Sequence, residues 1–254
     1  MRRFGDKVAL VVGGTSGIGN AAAHALAKEG AKVVIAGRRA TLGEEAIARW
    51  RAEGLDALFV RADVRDGQSL SHLIETTVRH YGRLDLAVNN AGISGANSPI
   101  DDYPLDSWDE VLAVNLKGVW LSMKYEIPEL IRSGGGAIVN VASDVGLAGA
   151  AFGISPYVAS KHGVVGLTRA AALEYATQSI RINATCPGLT DTDMLTYAKE
   201  NHSASLAHYI ESHIPMQRAA TPDEQASAIL WLLSSESSFV TGSAVPVDGG
   251  ILAR

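Results

Sequence analysis

Tyr157 and Lys161 stand four residues apart in the run Tyr157-Val158-Ala159-Ser160-Lys161. On a helix, positions i and i+4 share one face, so a phenol and an ammonium would stand side by side. A phenol has an ordinary pKa of about 10, too high to exchange protons freely near neutrality. A neighbouring ammonium favours the phenolate and lowers that value. A fall of about 3 units requires roughly 4 kcal/mol of differential stabilisation. The pair therefore reads as an acid–base device, provided the fold holds it in a partly dry cleft. The same spacing occurs on many helices that do no chemistry, so its meaning depends on its surroundings.

Those surroundings alternate short β-branched runs with longer amphipathic or alanine-rich stretches. Strands are predicted at Val8–Val12, Lys32–Ala36, Ala57–Val60, Leu84–Val88, Ala137–Val141, Ile180–Cys186 and Ala244–Val247. Helices are predicted at Ile18–Glu29, Leu42–Ala52, Gln68–His80, Ser107–Arg132, Pro156–Tyr175 and Pro222–Leu233. Thr221 would cap the last of these, with Pro222 in its first turn. Apolar strands separated by helices imply a parallel sheet covered on both faces. No Pro/Ser-rich linker, charge run or repeat divides the 254 residues. The expected fold is α/β, a doubly wound parallel sheet of Rossmann type in a single domain.

Composition narrows the function classes. A net charge of -5 without a basic block argues against nucleic-acid binding. Arg2 and Arg3 lead into Gly5, Asp6 and Lys7, and the apolar run Val8–Val12 is too short for a signal peptide or a membrane span. One cysteine, Cys186, permits no internal disulfide and fits a reducing, cytoplasmic setting. It lies in an apolar run and reads as a small core residue. No metal is expected.

The segment Val8-Ala9-Leu10-Val11-Val12-Gly13-Gly14-Thr15-Ser16-Gly17-Ile18-Gly19 reads as strand, glycine turn and helix start. Glycines let backbone N–H groups approach a pyrophosphate, and the helix N-terminus favours that anion. The spacing of Gly13, Gly17 and Gly19 departs from the commoner Gly-x-Gly-x-x-Gly fingerprint. A tight strand–helix turn alone would also use glycine. After the second strand come Gly37, Arg38 and Arg39, with no acid to hold ribose hydroxyls. A guanidinium can hold a 2′-phosphate that a carboxylate would repel, so NADP(H) is predicted over NAD(H). The alternative is two solvated arginines beside a turn glycine.

With these features, the chain resembles the short-chain dehydrogenase/reductase family in its compact single-domain form, over nearly its whole length. The resemblance includes Asn89-Asn90-Ala91-Gly92, Asn115, Ser143, Pro187-Gly188 and the ending Val240-Thr241-Gly242 … Val247-Asp248-Gly249-Gly250. It implies that Tyr157 is the general acid/base, Lys161 its tuning partner and ribose ligand, and Ser143 the residue that bonds the substrate oxygen. Asn115 would complete a proton relay. The resemblance also implies cofactor contacts from Gly13, Thr15, Ser16, Gly17, Ile18 and Gly19, and from Arg38 and Arg39. Further contacts are implied for Asp63 and Val64 at the adenine, and for Asn89, Ala91 and Gly92 along the floor. Pro187, Gly188, Thr190 and Thr192 would complete them on the nicotinamide side. Val12 stands where the family usually has threonine, which bears on loop rigidity. His162 reads as structural or interfacial, since it turns away from Lys161's neighbours.

The implied activity is hydride transfer between a nicotinamide cofactor and a carbonyl/secondary alcohol pair. Candidate substrate residues are Ser94, Gly95, Val145, Phe152, Leu189 and the stretch 194–209, mostly apolar or small. They suit a sugar, a steroid-like ring, or a cyclic or aliphatic alcohol or ketone. A 3-oxoacyl-thioester reductase is the same-class alternative, for which Lys199 and Arg218 would form the basic entrance. A non-catalytic NADP(H)-binding sensor or scaffold is the alternative of another class. The segment 189–217 reads either as a substrate-side lid or as a surface helical excursion. The resemblance further implies a homotetramer.

Overall fold

A computed structural model describes residues 2–201 and 203–253, apart from the side chains at 197–199, 201, 203 and 204. Seven strands form one sheet: β1 (Val8–Val12), β2 (Lys32–Gly37), β3 (Ala57–Arg61), β4 (Leu86–Asn89), β5 (Gly136–Val141), β6 (Ile180–Pro187) and β7 (Ala244–Val247). Their order is β3-β2-β1-β4-β5-β6-β7, and every pairing is parallel. The helices are α1 (Gly17–Lys28), α2 (Ala40–Ala52), α3 (Gly67–Tyr81), α4 (Leu105–Leu112), α5 (Gly118–Arg132), α6 (Ser155–Tyr175), α7 (Asp193–Asn201), α8 (Ser203–His213) and α9 (Pro222–Leu233).

Alternate residues of each strand enter opposite cores, as the pleat requires. Leu10, Val34, Ile138 and Ile182 face one side, against Leu73 of α3, Leu130 of α5 and Val164 of α6. Val11, Ile35, Val88 and Val139 face the other, against Leu26 of α1, Trp50 of α2 and Leu232 of α9. The winding direction reverses between β1 and β4, which opens a crevice at the carboxyl ends of those strands. Cys186 is fully buried in the first core.

One element differs from the sequence expectation. The single helix predicted over Ser107–Arg132 is α4 and α5 joined by a π-turn at Ala113–Lys117, where Gly118 N–H bonds the Ala113 carbonyl five residues back. Such turns carry no hydropathy signature, because apolar periodicity continues through them. The segment 189–217 is largely helical, forming α7 and α8. Its base is clamped where Ala220 N donates to Leu189 O (2.9 Å) and Asp191 N donates to Ala220 O (2.9 Å). α9 opens as expected: Thr221 Oγ1 accepts from Glu224 N, and the Glu224 side chain accepts from Thr221 N in return. Among the described residues, no helix is long and apolar enough to cross a membrane.

Candidate active site

The crevice widens into a cavity of about 910 Å³ along the carboxyl edge of the sheet. At one end lies the glycine turn. Gly13 has φ of 80°, and a Cβ there would sit 2.6 Å from Ala91 N. A Cβ on Gly19 would sit 2.2 Å from Gly13 O, so this position permits close helix–loop packing. Ser16 precedes α1 without capping it by its side chain; its Oγ accepts instead from Arg39 Nη2 (2.6 Å). The first N–H groups of α1 therefore remain uncapped by Ser16, the arrangement that suits a phosphate.

Beyond β2, Arg38 and Arg39 line the same end of the cavity. Arg39 also approaches Asp193 at the start of α7 (3.7 Å). Arg38 makes no side-chain hydrogen bond or ion pair among the described residues. Asp63 and Val64 line the wall after β3. Asp63 is paired with Arg65 (2.6 Å), which holds its carboxyl below the usual range.

The other end is built by α6, the turn after β5 and the segment after β4. Tyr157 and Lys161 share one face of α6, with Lys161 Nζ 5.5 Å from the tyrosine ring centre. A Cβ on Gly146 would sit 2.8 Å from Lys161 O, so the turn carrying Ser143 packs directly on this helix. Lys161 is buried and donates to Val141 O (2.8 Å). Burial lowers its pKa to about 8. Tyr157 departs from the sequence expectation. Burial pushes its hydroxyl up to about 12, contact with Ser143 pulls it down, and the Asp144 charge pushes it up again. Desolvation here outweighs the help expected from the ammonium, which is turned to a backbone carbonyl.

Most of the predicted residues meet in this cavity. Gly13, Thr15, Ser16, Gly17, Ile18, Arg38, Arg39, Asp63, Val64, Ala91, Gly92, Pro187, Gly188, Thr190 and Thr192 line it, with Ser143, Tyr157 and Lys161. Gly19, Asn89 and Asn115 do not line its wall. Asn115, in the π-turn, accepts from Ile93 N (2.9 Å) and donates to Ile93 O (2.9 Å) and Ser160 Oγ (3.2 Å). It thereby pins the segment after β4 to α6. Asn89, expected on the cofactor floor, points away from the cavity. Its Nδ2 donates to Glu126 Oε2 (3.1 Å) and Asn140 Oδ1 (3.0 Å) inside the core.

Four residues escaped the sequence reading. Asn90 lines the cavity and donates to Gly13 O (2.9 Å), tying β4 to the glycine turn. Ser160 joins Asn115 to α6 and donates to Tyr157 O (2.7 Å). Glu126 is fully buried, and its pKa is pushed up to about 7 by that burial. Its signal was its position between Ser122 and Leu130, one turn from each on the buried face of α5. Asp144, directly after Ser143, also lines the cavity. His162 lies exposed on the outer side of α6, with Nδ1 near Val158 O (3.1 Å).

At the far end the wall is largely apolar, with Val145, Ile154, Leu189, Met194, Leu206 and Tyr209. Phe152 meets Tyr209 of α8 edge to face at 5.4 Å, joining the loop before α6 to the helical excursion. Gly95 is not on the wall. Its φ of 76° and its contacts with Val111 and Tyr103 assign it to the turn instead. Lys199 has its side chain outside the described residues. Arg218 is paired with Glu224.

Residues 12–252 match the family model described as enoyl-(acyl carrier protein) reductase. The chain is 40% identical to a cyclohexanol dehydrogenase of Acinetobacter sp. (strain SE19), over 99% of this chain and 97% of that one. A crystal structure of levodione reductase superposes with a TM-score of 0.94 at 36% identity, covering 99% of both chains. An actinorhodin polyketide ketoreductase variant solved with NADPH gives 0.91 at 35% identity, covering 96% of this chain and 97% of that one. These likenesses span the glycine turn, the π-turn helix and the Tyr157/Lys161 face together, and the chain belongs to the short-chain dehydrogenase/reductase family of oxidoreductases.

Proposed function

We propose that this protein is an NADP(H)-dependent oxidoreductase that interconverts a secondary alcohol and its carbonyl compound, with Tyr157 exchanging the proton. One observation carries the reading. Ser143, Tyr157 and Lys161 converge on a cavity whose other end holds the open N-terminus of α1 and two arginines. Thr15 to Ile18 would hold the pyrophosphate, Arg38 and Arg39 the 2′-phosphate, Asp63 and Val64 the adenine. Pro187, Gly188, Thr190 and Thr192 would border the ring. The nicotinamide, when bound, supplies or accepts the hydride.

Tyr157 keeps its proton at neutral pH, the form needed to protonate a nascent alkoxide. Ser143, whose hydroxyl proton goes to Asp144 Oδ1 in this structure, would turn it to the same oxygen when substrate binds. Lys161 stabilises the phenolate left behind, and Asn115 with Ser160 fixes the helix that carries both. The apolar far wall suits a cyclic or aliphatic alcohol, in keeping with the alcohol named for the Acinetobacter relative. The excursion of α7 and α8 would cover this end as a lid. A thioester reductase finds less support, because Arg218 is already engaged by Glu224. A non-catalytic sensor would have no need of the full Asn115/Ser143/Tyr157/Lys161 set. Exposed apolar side chains at Trp120, Leu173 and Phe239 support assembly, which we take to be a homotetramer.

The test is NADPH consumption against cyclic and aliphatic ketones, aldehydes and thioesters, with Tyr157→Phe in parallel. Turnover should fall by about 10²- to 10⁴-fold in the variant while NADPH binding persists. Retained turnover would overturn the assignment of Tyr157, and tight binding without turnover by the wild type would favour the sensor.

A further inference from the structure

Asp144 begins the short turn after β5 and lines the cavity beside Ser143. Only 8% of its surface is exposed. Its Oδ1 accepts from Ser143 Oγ (2.8 Å) and from Val145 N (2.8 Å). Outside the Ser143–Val145 turn, no residue hydrogen-bonds or ion-pairs this carboxyl among the described residues. It shares the cavity wall with Tyr157 of α6 and Tyr209 of α8, and its charge raises the pKa of both hydroxyls. Asp248 adds a like charge rather than a compensating one.

A buried carboxyl is costly unless its oxygens find donors. Serving the turn does not require an acid, since a serine or asparagine oxygen could accept from Val145 N equally well. What the site lacks is a donor arriving from the cavity. Val145, Ile154, Leu189 and Leu206 of the same cavity wall carry no side-chain donor, and neither Tyr157 nor Tyr209 hydrogen-bonds the carboxyl among the described residues.

We infer that Asp144 is a substrate-specificity residue whose second carboxylate oxygen accepts a hydrogen bond from an additional hydroxyl on the substrate, one or two carbons from the reacting carbon. The inference rests on the oxidoreductase reading above. Ser143 would turn its single hydroxyl proton from Asp144 to the reacting oxygen, which leaves the carboxylate, 2.8 Å away, short of a donor. Oxygens on adjacent ring carbons are separated by about the same length, so neighbouring side chains can hold both. The substrate class is a vicinal or 1,3-diol in the oxidative direction and the matching hydroxyketone in reduction. A hydroxyl suits the site better than an ammonium, because burial already raises the carboxyl's pKa and disfavours its full charge.

The experiment compares oxidation of cyclohexanol with that of cyclohexane-1,2- and 1,3-diol stereoisomers by wild type, Asp144→Ala and Asp144→Asn. The readout is the ratio of kcat/KM for diol to that for cyclohexanol. Asp144 also holds Ser143, so both rates will fall in the variants, and the ratio cancels that shared loss. The wild type should prefer one diol by about ten-fold or more, and Asp144→Ala should bring the ratio near one. A wild-type ratio near one, or one unchanged in a folded Asp144→Ala, overturns the inference while turnover leaves the oxidoreductase reading intact. Turnover of none of these alcohols, nor of their ketones, refutes that reading and the inference with it. If Asp144→Ala does not fold, Asp144→Asn decides, since an amide is the weaker acceptor and should lower the ratio.

Discussion

Glu126→Gln should stabilise this protein at neutral pH relative to the wild type, the gain growing from about pH 4.5 to about pH 7 and levelling off above. Glu126 hangs from α5 into a closed polar cluster with Asn89, Asn140 and Thr168. Its Oε1 and Asn89 Oδ1 have no hydrogen-bond partner among the described residues. A protonated carboxyl, or a glutamine amide, could donate to that Asn89 oxygen; an ionised carboxylate cannot. Burial accordingly pushes Glu126 from its ordinary 4.5 up to about 7. The unfolded chain sheds the proton near 4.5 and the folded protein near 7. Between these values the unfolded state binds fewer protons, so stability is intact below the lower value and is lost as pH rises through the upper one. About 2.5 units at about 1.4 kcal/mol each amounts to roughly 3.5 kcal/mol in full. Glutamine does not ionise. The difference in unfolding free energy between variant and wild type should therefore widen by about 2–3 kcal/mol from pH 5 to pH 8. Urea denaturation at four pH values reads this directly, because the other acids titrate identically in both proteins. Parallel stability–pH curves would refute the account and imply that Glu126 ionises in the fold at its ordinary value.

The cofactor reading makes a graded prediction. Arg38→Ala should weaken NADPH binding about 10- to 100-fold while leaving NADH nearly unchanged, and Arg39→Ala should cost less, because Arg39 is already engaged by Ser16 and Asp193. Asp193→Asn, which frees Arg39 from an exposed pair, should tighten NADPH by up to about five-fold. Equal losses for NADPH and NADH in Arg38→Ala, measured by fluorescence titration, would remove the arginines from the phosphate site. Light scattering at micromolar concentration should give the mass of four chains, and a monomer there would refute the tetramer.

Much of the architecture is legible in the sequence. Val8–Val12 and Ala244–Val247 fall where their apolar runs placed them, and α9 starts at its Thr221/Pro222/Glu224 signature. Tyr157 and Lys161 share a face because the helical repeat requires it. The π-turn at Asn115 was not legible, since a one-residue slip in hydrogen bonding leaves the apolar stripe of the helix unbroken. Asn89 was misplaced for a related reason. Neighbouring residues at a strand end point in opposite directions, and only the sheet's position shows that Asn90 faces the cavity while Asn89 faces the core.

By itself the sequence determined the periodicities, the caps, the glycine turn and the shared face of Tyr157 and Lys161, because these are local and set by spacing along one element. The tertiary structure alone decided what surrounds each ionisable group. Tyr157 rises to about 12, Lys161 falls to about 8 and Glu126 rises to about 7 because segments distant in the chain pack around them and strip away part of their hydration. That desolvation depends on packing across the whole fold, and no spacing of residues along the chain encodes it.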